Sequence, residues 1–301
     1  MDVMVTAIGE ILFDHFTSYR RLGGAPFNFS YHLKQLGIPV RFITRVGNDP
    51  EGKEIIETLT QHGFNTDDIQ IDYAHPTGRV TVRTDPKGVP VFHIHSNVAY
   101  DYLELTDTVV SNLAETAKLI HFGSLIQRTK NGREALQNFI STISDKVKCF
   151  CDINLRPACF SKSIVLKSLA YADILKLNED ELNIIGQVTG KGSNRLGLID
   201  YLMKKYGLEM ISLTKGSDGS ELFMDGERFA VKTEKVDKIA DTVGAGDAYA
   251  AIVAVGYLKG WHPNRILSAA NRFSGRLCMV RGAIPPVLFY REFRDIMEGK
   301  I

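Results

Sequence analysis

No run of 18 apolar residues occurs in this 301-residue chain, which argues against a membrane-spanning helix. Its first ten residues, MDVMVTAIGE, lack the basic start and apolar core of a secretory leader, so the expected location is the cytoplasm. Net charge is equally scarce. The 36 Lys and Arg nearly cancel the 35 Asp and Glu, leaving no global field for a nucleic-acid backbone or an anionic membrane. The partner expected is a small molecule. Cysteine is sparse too: Cys149 and Cys151 alternate along an apparent strand while Cys159 and Cys278 stand apart, a pattern of buried free thiols and not of a zinc knuckle or disulfide framework. The eight histidines show no ligand spacing of the HExxH kind. No GxGxxG follows a strand, and the segment Gly186 to Ser193 (GQVTGKGS) fails as a phosphate loop because Gly192 stands where a hydroxyl is needed. It reads as a surface turn.

What is present is an ordinary globular composition, 44% hydrophobic and 24% charged, with enough chain for a sizeable core. Short apolar runs recur at Val3 to Ile8, Val40 to Val46, Leu119 to Phe122, Val147 to Ile153, Ile174 to Leu177 and Met210 to Leu213. Helix-like stretches separate them, which implies an α/β fold with a central, mainly parallel sheet covered on both faces. One helix is well marked: Pro26 suits a first-turn position, Phe29, Leu33 and Leu36 share a face, and Gly37 closes the end. A second runs from about Asp247 to Leu258, apolar on nearly every side and stopped by Gly260, so it belongs in the centre of the molecule. Gly78 to Arg83 and Val89 to His95 break the rhythm. They alternate as strands and are joined by Asp85, Pro86, Lys87 and Gly88, which reads as a hairpin, either a flap over a cleft or an edge without functional consequence.

The densest chemical signal is DTVGAGD, Asp241 to Asp247, immediately before the buried helix. Gly244, Ala245 and Gly246 let backbone N–H groups line a concavity at a helix N-terminus, where the helix dipole favours phosphate. Asp247, in the first turn, is expected to be held ionised by the same dipole and so to accept a proton. Phosphoryl transfer needs just this pairing of an aligned nucleophile with donors matched to charge spreading over the phosphate oxygens. The plainer alternative is a helix cap with glycines that allow close packing.

DTVGAGDAYAA resembles the second signature of the ribokinase-like (PfkB) carbohydrate kinases, DTxGAGD followed by a small-residue helix. GGAPFNFSYHLKQLG, from Gly23 to Gly37, resembles the family's first signature in its fructokinase form, with Ser30 in place of the usual small residue. GEILFD, GNDPEG, DINLRP, NEDE and TKGSDG follow in the family's order across nearly the whole chain. The resemblance implies a ribokinase-like three-layer α/β sandwich over residues 1–301, with a small β lid from about 11–24 and 77–98. It implies Asp247 as catalytic base, Gly244, Ala245 and Gly246 as the anion hole, and Asp14, Gly24 and Asn28 as sugar-binding. The guanidinium of Arg156, in DINLRP, suits bidentate binding of either a substrate group or a phosphate. Asn178 and Glu181 match the element that organises Mg2+ and its waters beside the ATP phosphates. Thr214, Gly216, Gly219 and Asn271 match the nucleotide pocket. Asp241, Val243, Arg281 and Ala283 match the stretches around a monovalent cation such as K+. Lids of related kinases often form dimer contacts, which points to a homodimer.

GGAP lacks the lysine of the GGKG form, so an uncharged hexose is preferred, with fructose the leading candidate. The lid segment HSNVAYDYL follows the fructokinase pattern only loosely. A 2-keto-3-deoxygluconate kinase is the nearest rival, because Arg156 suits a substrate carboxylate. Other sugar and nucleoside kinases trail behind, and a non-catalytic sugar-binding protein on the same fold is the remote alternative.

Overall fold

The computed structural model describes residues 5–85, 90–105, 117–143, 146–191, 194–234 and 238–297. Residues 3–4 of the first apolar run, 86–88 of the hairpin turn with Val89, and 192–193 of the GQVTGKGS segment lie outside the described residues.

Among the described residues, nine strands form the larger sheet. In chain order they are β1 (Val5–Ile8), β4 (Val40–Gly47), β5 (Ile69–Asp72), β8 (Leu119–Phe122), β9 (Lys148–Asp152), β10 (Ile174–Asn178), β11 (Met210–Thr214), β12 (Ser220–Met224) and β13 (Glu227–Val231). Their order across the sheet is β13-β12-β11-β10-β9-β8-β1-β4-β5. The pairings from β5 to β11 are parallel and the last two are antiparallel. From β1 the chain moves to β4 on one side and later returns to β8 on the other. Strand order therefore reverses between β1 and β8, where open α/β sheets bind ligands beyond the carboxyl ends of their strands.

Helices cover both faces. Those used below are α1 (Ala25–Gln35), α2 (Pro50–Gln61), α3 (Lys130–Thr142), α4 (Lys162–Tyr171), α5 (Glu179–Thr189), α6 (Arg195–Tyr206), α7 (Ala245–Leu258) and α8 (Pro263–Leu277). Because strand side chains alternate between faces, the sheet divides the core in two. Val5, Ala7, Phe150, Ile174 and Met210 pack with α1, α7 and α8, whereas Ile8, Ile120, Cys151, Leu175 and Ile211 pack with α3 to α6. Helix α7 is buried from Asp247 to Gly256, in keeping with its nearly uniform apolar sequence. Gly186 falls inside α5 and Gly190 closes that helix in the left-handed conformation, so residues 186–190 form the end of a helix and its cap.

A second, four-stranded sheet of order β3-β2-β6-β7 comprises β2 (Leu12–His15), β3 (Arg20–Gly23), β6 (Gly78–Thr84) and β7 (Pro90–Ile94). It takes in the two stretches expected to form a lid, and β6 and β7 pair antiparallel as the hairpin reading requires. Cys149 and Cys151 are buried free thiols, and burial pushes Cys149 up to about 12. Among the described residues no helix is long and apolar enough to cross a membrane.

Candidate active site

Gly244 begins the site. It caps α7 at φ 79°, and a Cβ there would stand 2.4 Å from the Ala283 Cβ and 2.8 Å from its Cα, so a side chain is excluded both by conformation and by space. The loop before it is fixed by Asp241, whose carboxylate accepts from Val243 N (3.1 Å), Gly282 N (3.0 Å) and Arg21 Nη1 (2.7 Å). Burial works against its ionisation, but these donors outweigh it and hold the carboxyl below its ordinary range. Asp241, Val243 and Ala283, three of the residues matched to a cation site, thus meet at the start of α7, with Arg281 exposed on the same turn as Gly282.

Asp247 is 9% exposed and stands in the first turn of α7. Its Oδ2 accepts a 2.7 Å hydrogen bond from Asn28 Nδ2, which joins the two glycine-rich signatures in one site. The helix dipole was expected to favour ionisation; the net shift is upward. Burial dominates, and the Asn28 bond and the charges of Lys176 and Arg156 offset it only in part. A carboxylate raised this way is a stronger proton acceptor than the dipole argument alone allowed. Ala245 N–H turns back to Thr242 O at 3.3 Å, so the N–H groups of Gly246 and Asp247 are the ones the first turn directs outward.

The sequence reading passed over Lys176. It interrupts the apolar run of β10 on the face of Ile174, towards α7, and its Nζ binds both oxygens of Asp152 at 2.9 and 3.0 Å. A Cβ on Gly246 would lie 3.1 Å from this Nζ, so a buried cation sits directly against the glycine loop. A charged residue at the centre of a buried strand calls for a partner. That was the available signal, but Asp152 is its neighbour only through the β9 to β10 register.

Asp14, on β2, is half-buried, and burial raises it to about 6 against the opposing charges of Arg156 and Arg21. Gly24 caps α1 at φ 112°, and a Cβ there would stand 2.5 Å from Glu10 O. Asn28 Oδ1 is buried with no protein partner. Exposed Arg156 follows β9 and acts electrostatically on Asp14, Glu10 and Asp247, which places it over the same cleft.

Asn178 and Glu181 form a reciprocal cap at the start of α5: Asn178 Oδ1 accepts from Glu181 N at 2.9 Å, and Glu181 Oε2 accepts from Asn178 N at 2.8 Å. Glu181 Oε1 also accepts from Leu155 N at 2.9 Å. Thr214 ends β11, Gly216 (φ 55°) and Gly219 (φ 100°) shape the next turn, and Asn271 Oδ1 on α8 accepts from Ser220 Oγ at 3.1 Å. Asn271 Nδ2 remains unpartnered and buried beside that turn.

A second group missed in the sequence lies at the switch point. Glu10, just after β1, is 4% exposed and raised to about 7, by burial first, against the backbone bond at Glu10 and the charge of Arg156. Its folded form keeps a proton that the unfolded chain has lost between about pH 4.5 and 7, so its contribution to stability falls as pH rises through that window. The unfolding free energy of Glu10→Gln, less that of wild type, should therefore climb from pH 4.5 to 7 and level off above, by denaturant titration. A flat difference would show that Glu10 titrates normally.

The model of the pfkB family carbohydrate kinases matches residues 14–288. The chain belongs to this family. It is similar to a sugar kinase of Pyrococcus horikoshii, 29% identical over 98% of this chain and 97% of that protein. The structure of that enzyme in complex with ATP superposes with a TM-score of 0.80 at 28% identity, covering 97% of this chain and 99% of that one. A fructokinase of Escherichia coli is 28% identical over 78% of this chain and 76% of that protein. A 2-dehydro-3-deoxygluconokinase of Thermoproteus tenax is 26% identical over 93% and 86%. The fold is ribokinase-like, and the pfkB chain is a sugar kinase.

Proposed function

We propose that this pfkB kinase transfers the γ-phosphoryl group of ATP to a hydroxyl of free fructose, giving fructose 6-phosphate, in the cytoplasm. The observation that carries the reading is the Asn28 to Asp247 hydrogen bond, which fixes a raised carboxylate between the anion loop and the sugar-side signature. Asp247 takes the proton from the reacting hydroxyl as its oxygen attacks the γ-phosphorus and the bond to the ADP oxygen breaks. The N–H groups at the start of α7, with Lys176 beneath Gly246, meet the charge on the transferring group. Asp14 and the free Asn28 Oδ1 accept sugar hydroxyls, and the small sheet closes over the sugar, in a homodimer through that sheet. Asn271 and the Thr214 to Gly219 turn hold the nucleotide.

Glu181 suits a hard cation held through water, since its carboxylate oxygens each keep a lone pair beyond their backbone bonds. Among the described residues no three His, Cys, Asp or Glu side chains converge as a metal cage. Mg2+ would thus be held by phosphate oxygens and water beside Glu181, where it neutralises phosphate charge. K+ would sit on the carbonyls of the Asp241 to Val243 and Arg281 to Ala283 segments.

Arg156 favours a second reading, 2-keto-3-deoxygluconate, whose carboxylate it suits bidentately. ADP release with Mg2+ and ATP over fructose, ribose, 2-keto-3-deoxygluconate, inositol and nucleosides decides between them. Turnover on fructose above the others is expected; turnover confined to the keto acid would overturn the fructose reading.

A further inference from the structure

Behind Ala25 and Pro26 lies a cavity lined by Glu10, His121, Ser124, Asp152, Asn154 and Arg156, among others. It opens at the carboxyl ends of β1, β8 and β9, at the switch point of the sheet. Two of its walls are unfinished. Glu10 Oε2 is buried with no hydrogen-bond partner, and so are both ring nitrogens of His121. These side chains are 4% and 1% exposed. His121 is held in place by its neighbours: its ring stacks on Phe29 at 3.8 Å between centroids and meets Phe150 edge-on. Burial pushes it down to about 3, so it is a neutral imidazole with one donor and one acceptor. Asp152 is already engaged by Lys176, and Ser124 Oγ by Asn154 O.

A buried carboxyl oxygen and a buried imidazole left without protein partners need ligand or water in that cavity. The set matches a polyhydroxy compound, which brings both donors and acceptors, and the pocket is shared with Arg156 beside the sugar-side signature. We infer that this cavity is the subsite for the non-reacting end of an uncharged polyhydroxy substrate, bound by Glu10 Oε2 and a His121 ring nitrogen, and that Glu10 turns sugar acids away. The second half follows from charge. Above about pH 7, where the Glu10 carboxyl has lost its proton, its charge partly offsets the Arg156 guanidinium and faces any substrate carboxylate that enters the same cleft. Replacing Glu10 by its neutral isostere frees Arg156 for a carboxylate. This inference rests on the proposed sugar-kinase cleft and names its selecting residue.

The test is calorimetric binding at about pH 8, above the raised Glu10 value, of the neutral panel (fructose, ribose, inositol) and of 2-keto-3-deoxygluconate to wild type, Glu10→Gln and His121→Phe. The phenyl ring keeps the stack on Phe29 and removes both nitrogens; ATP affinity and melting temperature report on folding. Loss of a charge-assisted hydrogen bond is worth about tenfold or more. Glu10→Gln should thus shift the ratio of neutral to acidic sugar affinity at least about tenfold towards the acid, and His121→Phe should weaken the neutral sugar with ATP binding unchanged. An unchanged ratio in Glu10→Gln overturns the inference whichever sugar wild type prefers, and means that waters alone complete the cavity. A wild-type preference for the keto acid overturns the fructose reading, while the ratio still reads Glu10. Binding of no panel sugar to wild type would overturn both.

Discussion

Replacing Asp247 by Asn should lower kcat by between about 10² and 10⁴-fold while the KM for sugar stays within a few-fold of wild type, because only proton acceptance is removed. Asparagine preserves shape, and its carbonyl oxygen still accepts the 2.7 Å bond from Asn28 Nδ2. The size of the effect follows from the setting. Asp247 is buried, its carboxyl is raised by that burial, and the nearby cations Lys176 and Arg156 moderate the rise without reversing it. A group poised this way accepts a proton more readily than an exposed aspartate, whose ordinary pKa is about 3.9. Steady-state kinetics at saturating ATP check it. A fall in kcat/KM arising wholly from KM would make Asp247 a sugar ligand and no base.

The two loop glycines should fail in different ways. Gly244→Val should destabilise the protein and abolish turnover together, since φ 79° is strained for a branched residue, a cost of about 1–3 kcal/mol, and its Cβ would collide with Ala283 backbone and side chain. Gly246→Ala meets only the tip of Lys176 at 3.1 Å, and a lysine end can shift, so the fold should persist. What the added methyl occupies is the approach of phosphate to the first-turn N–H groups. The expected result is a melting temperature near wild type with a loss of at least about tenfold in kcat/KM for ATP. Wild-type kinetics in a folded Gly246→Ala variant would remove the anion loop from the account.

Much of this was readable in the residues because local signals and fold agree. The apolar runs at 119–122, 147–153, 174–177 and 210–213 contain or coincide with parallel strands, because each is mostly apolar and its few polar side chains are buried on one face or paired, as Lys176 is with Asp152. Pro26 opens α1 and the glycine at 244 opens α7, so both signature loops could be placed at helix starts before any geometry was known. Lys176 and Asp152 were hidden for a physical reason. They are 24 residues apart, and only parallel register sets them face to face beneath Gly246. Glu10 and His121 meet only through the strand order that puts β1 beside β8. The direction of the Asp247 shift was missed because sequence reveals a helix dipole but not how far water is excluded, and burial is the larger influence.

The most direct test of the central claim follows the label from γ-³²P-ATP after incubation with Mg2+ and fructose, for wild type and Asp247→Asn in parallel. The account predicts label in a sugar phosphate ester in step with ADP for wild type, and almost none of either for the variant. ADP formed with label only in inorganic phosphate, or equal sugar labelling by both proteins, would contradict it.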